Sequence, residues 1–353
     1  MGSKIPEQVF GFRELYRPQN EEPELDIVAV HGLNGHAINT WTAESPMKGG
    51  EPICWLNHPD FLPKFISRAR VLTWGYNANV SSMKGPTSSD RILQHAQSLV
   101  QQLQGDRTLK GATERPIIFL CHSLGGIVVK RALAYSESRT GPKNSHLHSI
   151  FTCTYGIIFF GTPHHGSSKA QLLSSLQKVT RLTIPKRILR TESNLVKALE
   201  AESETLQNIT DQFVALMSNF HLMFLWEQER TPIPGLGASY IVDESSAAPG
   251  LPDVERCGIA ADHRGMCRFV SSSDQGFLTV IDALQRYSRA APEEIKTRCA
   301  RELWFLKAKH NGEAMELVRA LGGPPMGTNA LLPFPVKQNA SEGPAFQLGR
   351  AMF

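Results

Sequence analysis

Short runs rich in β-branched and aliphatic residues alternate along the chain with longer stretches in which apolar residues recur every three or four positions. That pattern predicts a mostly parallel sheet covered by helices on both faces. The strand-like runs are Asp26 to Val30, Ala69 to Trp74, Pro116 to Cys121, Tyr155 to Phe160, His221 to Trp226 and Ser239 to Val242. Between them, 90–104 predicts a helix with Ile92, Ala96, Leu99, Val100 and Leu103 on one face, and 193–218 predicts another, striped by Leu195, Leu199, Leu206, Ile209, Phe213 and Leu216. Helical spacing returns over Phe277 to Lys309, and from Asn311 onward breakers such as Gly-Gly-Pro-Pro take over. The expected organisation is an N-terminal segment over 1–23, one domain over 24–310 and a loosely ordered tail over 311–353.

Hydrophobic residues make up 41% of the 353 positions and charged ones 20%, which supplies a large core and excludes a disordered chain, a coiled coil and a collagen-like repeat. Lys and Arg number 37 against 33 Asp and Glu, a net charge of +4 with no long basic block, so no nucleic-acid surface is expected. No window reaches the roughly 18 consecutive apolar residues of a membrane span. Residues 1–10 lack the basic-then-apolar build of a secretory leader, and an intracellular, cytoplasmic location is the expectation. The cysteines, Cys54, Cys121, Cys153, Cys257, Cys267 and Cys299, form no Cys-x-x-Cys pair and read as reduced thiols.

The chemistry concentrates in Pro116-Ile117-Ile118-Phe119-Leu120-Cys121-His122-Ser123-Leu124-Gly125-Gly126. A buried strand runs straight into a serine flanked by small residues and then into a helix, the setting of a nucleophile elbow. Ser123 is the candidate nucleophile. Gly125 is small, as the turn requires two positions after the serine, while Cys121 replaces the usual glycine two positions before it.

A serine needs a base and the base needs an orienting acid, and on this kind of sheet they follow in the order Ser, acid, His on loops at the carboxyl ends of later strands. His263, in Ala261-Asp262-His263-Arg264, lies in a loop-like segment beyond the last strand run and is the candidate base. Two acids stay open: Glu227, at the end of the penultimate run, which the topological order favours, and Asp243, at the end of the last. The oxyanion of a tetrahedral intermediate calls for two backbone donors. These are expected to be the amide of Leu124 and that of Leu33, in the loop Val30-His31-Gly32-Leu33-Asn34-Gly35.

Four stretches stand in this order: His31-Gly32-Leu33-Asn34-Gly35, Cys121 to Gly126, Phe159-Phe160-Gly161-Thr162-Pro163-His164-His165-Gly166, and Ala261 to Arg264. Together they make the chain resemble the fungal lipase-like α/β hydrolases that often precede the nucleotide-binding domain of multidomain receptors. The tail, with Leu331 to Val336 and Phe346 to Arg350, is similar to the linker before that domain, and no G-x-x-x-x-G-K-[ST] phosphate loop occurs. The resemblance implies an α/β-hydrolase fold and a serine esterase or lipase-like activity.

The expected function is cleavage of a small-molecule or lipid ester or thioester through an acyl-enzyme on Ser123. A trans-acting thioesterase or acyltransferase and a non-catalytic sensor module are the alternatives. No cofactor is expected. Adjacent His164 and His165 diverge and lack a third ligand at metal-binding spacing, so no metal is expected either. Within 167–218, Leu172, Leu173, Leu176, Val179 and Leu182 stand beside Lys178, Arg181, Lys186 and Arg187, a composition that suits a cap over an apolar pocket or a segment touching a membrane surface.

Overall fold

The computed structural model describes residues 9–78, 88–164, 174–175, 177–179, 181–182, 208–235 and 237–321. The strands in these residues are β1 Gly11–Tyr16, β2 Leu25–Val30, β3 Thr42–Ala43, β4 Ile53–Cys54, β5 Ala69–Gly75, β6 Ile117–His122, β7 Thr154–Phe160, β8 His221–Glu227, β9 Thr231–Ile233, β10 Gly237–Ser239 and β11 Glu255–Ile259. Seven of them build one sheet in the order β1-β5-β2-β6-β7-β8-β11, antiparallel at β1/β5 and parallel elsewhere. β2, β5, β6 and β7 are buried at every position, which is why their sequences read as unbroken apolar runs.

Successive side chains of β7 serve opposite layers. The Phe159 ring lies 5.8 Å from Nζ of Lys130 in the helix Leu124–Glu137, whereas Phe160 packs edge-on against Trp41. Trp41 leads into an aromatic cluster of Trp55, Phe269 and Phe277, the last from the helix Gln275–Ala320. The helix Ser88–Leu109 buries Ile92, Ala96, Leu99, Val100 and Leu103, the face its periodicity predicts. This topology, with helices on both faces and a sharp strand-to-helix turn after β6, is the α/β-hydrolase fold.

The chain divides into two compact units, Met1–Cys299 and Ala300–Phe353. The first contains β1, inside the segment that periodicity leaves outside the domain. In the second, 300–320 is helical where breakers were expected from Asn311, because the paired glycines and prolines begin only at Gly322. Leu303, Phe305, Leu317 and Leu321 of this unit are exposed. No helix among the described residues is long and apolar enough to cross a membrane.

The last strand of the sheet is β11, not Ser239 to Val242. Ile241 and Val242 are buried, as their apolar character suggests, but they pack in a small separate cluster with Val179, Ile233 and Ala247 and follow the short β9/β10 hairpin. Of the helix expected over 193–218, the first part lies outside the described residues; 208–214 is helical and buries Ile209 and Phe213.

At the amino-terminal end of the strands a buried carboxylate ties the frame together. Asp26, at the start of β2, accepts hydrogen bonds from Arg70 Nε and Nη2, from Arg107 Nη1 at 2.7 Å and from Arg115 Nη1. Burial alone would raise its pKa, but the guanidiniums of Arg107, Arg70 and Arg115 hold the carboxyl below its ordinary range. Asp26→Asn strands three cations around a neutral group. It is expected to destabilise the fold by about 3–5 kcal/mol, read as a lower urea midpoint at unchanged m-value.

Candidate active site

The parallel strands all point their carboxyl ends to one edge, and the residues singled out in the sequence arrive there from β2, β6, β8 and β11. Ser123 occupies the turn between β6 and the following helix with φ 52° and ψ −125°. A non-glycine residue holds such a backbone only where its surroundings enforce it. Here the Ser123 amide donates to Phe160 O, and its carbonyl accepts the Thr162 hydroxyl. A Cβ on Gly125 would stand 2.5 Å from the Val30 and His31 carbonyl oxygens, so the close crossing of helix and β2 excludes any side chain there. Cys121 fits fully buried two residues before the serine.

His263 follows β11 and turns its ring toward the elbow, with Nε2 3.1 Å from Ser123 Oγ. Nδ1 lies 3.7 Å from Glu227 Oε2, an ion-pair distance longer than a hydrogen bond, which is common before substrate tightens a site. All three side chains are nearly inaccessible to solvent. Burial, with the neighbouring His122 and Arg264 adding to it, holds the His263 ring well below its ordinary pKa, so it stands neutral at pH 7 and able to accept a proton. Burial pushes Glu227 up to about 7, against the opposing pull of the amides that hold it.

Those amides belong to Ile241 and Val242, both donating to Glu227 Oε1, the latter at 2.7 Å. The other oxygen, Oε2, accepts from the Thr231 hydroxyl, and Thr231 Oγ1 in turn accepts the His263 amide at 3.1 Å. Thr231 therefore joins the carboxylate to the histidine backbone. A second tie comes from His122, whose Nε2 donates to the His263 carbonyl at 2.8 Å. Neither role is visible from sequence, since Thr231 sits in a three-residue hairpin strand and the Ile241 and Val242 contacts are made by backbone. Thr231→Val is expected to lower kcat about tenfold, the scale of one lost positioning hydrogen bond, with recovery in Thr231→Ser; a steady-state ester assay reads both.

Asp243 is placed elsewhere. It is exposed at the start of the helix Glu244–Ala247, where its carbonyl accepts the Ser246 and Ala247 amides. Its neighbour Val242 holds Glu227 through the backbone, but the Asp243 side chain is exposed and the carboxylate that faces His263 among the described residues is that of Glu227.

The loop after β2 approaches the serine closely: a Cβ on Gly32 would stand 2.8 Å from Ser123 Cβ. The loop is pinned by the Tyr76 hydroxyl, which donates to His31 O at 2.9 Å, and by a turn closed by Gly35 N on Gly32 O. Asn34 N is engaged by Ala78 O, whereas Leu33 N donates to no backbone carbonyl among the described residues. Leu124 is the first residue of its helix, so its amide has no intrahelical acceptor and lies at the positive end of the helix dipole. The Leu33 side chain, with Leu182 and Trp226, borders the apolar cluster of Val179, Ile233, Ile241 and Val242.

Of the segment 167–218, Lys178 Nζ donates to Tyr240 O, and Leu182 O accepts from Arg264 Nη2; most of the expected cap lies outside the described residues. His164 is buried between the Phe159 and Phe224 rings, and His165 lies outside the described residues. Among the described residues no three His, Cys, Asp or Glu side chains cluster as metal ligands.

No protein-family model matches the chain. Its sequence is 26% identical over 279 residues to the protein SERAC1 of Homo sapiens, covering 75% of this chain and 39% of that protein, and 27% identical over 265 residues to SERAC1 of Danio rerio, covering 70% and 37%. The chain thus spans about two fifths of the length of these animal relatives. Solved structures similar to it include MenH from S. aureus, at 15% identity and a TM-score of 0.40 over 79% of this chain and 99% of that one. The esterase RhEst1 from Rhodococcus sp. is similar at 13% identity and a TM-score of 0.41 over 79% and 94%.

Proposed function

We propose that this chain is a serine hydrolase that cleaves an ester or thioester through an acyl-enzyme on Ser123. The observation that carries the reading is the contact of His263 Nε2 with Ser123 Oγ at 3.1 Å, behind which Glu227 faces Nδ1. As Ser123 Oγ attacks the acyl carbonyl, His263 takes its proton. The imidazolium that forms faces the Glu227 carboxylate, and the oxyanion collects on the Leu33 and Leu124 amides. His263 then returns the proton to the leaving alkoxide or thiolate. Water enters, loses a proton to His263 and attacks the acyl-enzyme, and the second tetrahedral intermediate collapses to the free acid and Ser123.

The partly buried Leu33, Leu182 and Trp226, packed on the apolar cluster of Ile233, Ile241 and Val242, favour an acyl chain over a polar acid group. The kinship with fungal lipase-like modules read from the four motifs belongs to this proposal. So does any extension of the activity to the longer relatives.

The test is turnover of p-nitrophenyl acyl esters of graded chain length, and of acyl thioesters, by the full chain. A burst of p-nitrophenolate followed by steady release of free acid is expected. Transfer of the acyl group to added alcohol in place of water would redirect the reading to an acyltransferase. A folded protein showing neither burst nor turnover on any of these substrates would overturn it.

A further inference from the structure

We propose that Cys153 and Cys299 are a redox modification site, a thiol pair that closes to a disulfide under a hydroperoxide oxidant. Cys153 ends the helix Ser149–Cys153 that feeds directly into β7, and Cys299 lies in the helix Gln275–Ala320, within the same compact unit. Their sulfurs are 3.7 Å apart, the one sulfur–sulfur contact among the described residues. A disulfide needs its sulfurs at about 2.05 Å, so the contact must shorten by a further ~1.7 Å for the bond to form.

The surroundings of the pair favour the chemistry. Cys153 is fully buried and Cys299 partly exposed, so one sulfur is reached by a small oxidant while the other is shielded from it. Arg107 stands beside Cys153: its Nη2 and the Cys153 thiol both donate to Thr113 O, and its Nε is buried with no acceptor among the described residues. Asp26 takes one Nη1 hydrogen and the Thr113 and Arg115 carbonyls take Nη2, so Nε–H stays without an acceptor among the described residues and the guanidinium adds its charge beside the Cys153 sulfur. Hydrogen bonding from Cys299, with the Arg107 charge adding to it, holds the Cys153 thiol below its ordinary range despite burial.

In the first step the Cys299 thiol, which the adjoining Cys153 sulfur and burial hold protonated above its ordinary range, gives its proton to the departing peroxide oxygen as its sulfur takes the terminal OH; the O–O bond breaks, Cys299 becomes a sulfenic acid and the oxidant leaves as an alcohol or water. Cys153, as thiolate, then attacks Cys299 Sγ. The S–S bond forms, the S–O bond breaks, and the departing hydroxide leaves as water with the proton Cys153 gave up. Two thiols have lost two electrons, and the peroxide bond has gained them.

The bond would close a span of 146 residues that includes β7, β8, β11, Glu227 and His263. It lies at the amino-terminal end of β7, opposite the edge that carries Ser123, so it constrains the frame without touching the reacting groups.

The full chain, reduced and then exposed to a small excess of hydrogen peroxide, is alkylated, digested and analysed by mass spectrometry. The expected product is the Cys153–Cys299 cross-linked peptide, with the intact protein lighter by two hydrogens and two of its six thiols lost until a phosphine reductant restores them. Cys54 and Cys257, also partly exposed, serve as internal comparators and are expected to carry only alkyl or oxygen adducts. In Cys299→Ser, a substitution at a partly exposed helix position, Cys153 is expected to stay an unmodified thiol. Accumulation of Cys299 as sulfinic or sulfonic acid with Cys153 still a free thiol would overturn the proposal, as would cross-linking to Cys299 of any other cysteine in preference to Cys153.

Discussion

Ser123→Ala is expected to abolish covalent labelling by a fluorophosphonate and to lower ester turnover at least about 10⁴-fold, leaving only what binding and the amide donors provide. The effect is large because no neighbour among the described residues can replace the hydroxyl. The neighbouring Cys121 is buried behind the elbow, where burial raises its thiol well above the usual range, and His122 is committed to the His263 carbonyl. The substitution removes one oxygen from a backbone conformation already held by Phe160 and Thr162, so the fold is expected to survive it. His263→Ala, measured alongside, is expected to slow labelling to a similar extent, since the nucleophile and its base act as one unit. Full labelling of Ser123→Ala would place the reactive serine elsewhere.

Glu227→Gln is expected to move activity and stability in opposite directions. Activity falls about 10³- to 10⁴-fold, because an amide NH₂ facing Nδ1 favours the tautomer with its proton on Nε2, which cannot accept one from Ser123. Stability rises, because the carboxylate is buried against its preference. Its pKa is pushed up to about 7 in the folded chain, and with an unfolded value near 4.3 the ionised group costs on the order of 3 kcal/mol. A raised carboxyl favours the fold when protonated. The gain in the glutamine variant is therefore largest above pH 7, shrinks as the pH falls through the window between about 7 and 4.3, and is absent below it. Urea midpoints at pH 8 and pH 4 check this. The same group sets the acid limb of the wild-type rate, which is expected to rise with pH through about 7. A glutamine variant less stable than wild type at pH 8 would show that the amides of Ile241 and Val242 outweigh the burial of charge.

The parts of this molecule legible in its sequence are those where side chains carry the signal. The interior strands read correctly because burial on both faces leaves them no polar positions, as in Ile117 to Cys121. Ser123 is legible because its turn imposes small neighbours on both sides, and His263 because it stands past the last apolar run in a loop. β1 and β11 escape because each is an edge strand, with Arg13 and Glu14 in one and Glu255 and Arg256 in the other interrupting any apolar alternation. Missing β11 promotes Ser239 to Val242 to a final strand and keeps Asp243 in contention. Ile241 and Val242 are apolar for packing, yet their amides hold the Glu227 carboxylate, and a backbone donor leaves no mark in residue identity. The preference for Glu227 over Asp243 is legible because it rests on the strand before, β8, which the pattern shows plainly.

The two edges that hide from the pattern also bound the sheet. An edge strand presents unpaired backbone groups to any other chain with a strand to offer, and charge or a bulge on that edge is what discourages the pairing. β1 carries Arg13 and Glu14 and breaks its register with β5 between Glu14 and Tyr16. At the other side Glu255 is held by Arg286 and Tyr287, and Arg256 reaches Glu244, so charged side chains stand along β11. A seven-stranded sheet with apolar edges would be a template for its own aggregation; among the described residues this one ends in salt bridges on one side and a register break on the other, both of which oppose growth at the edge.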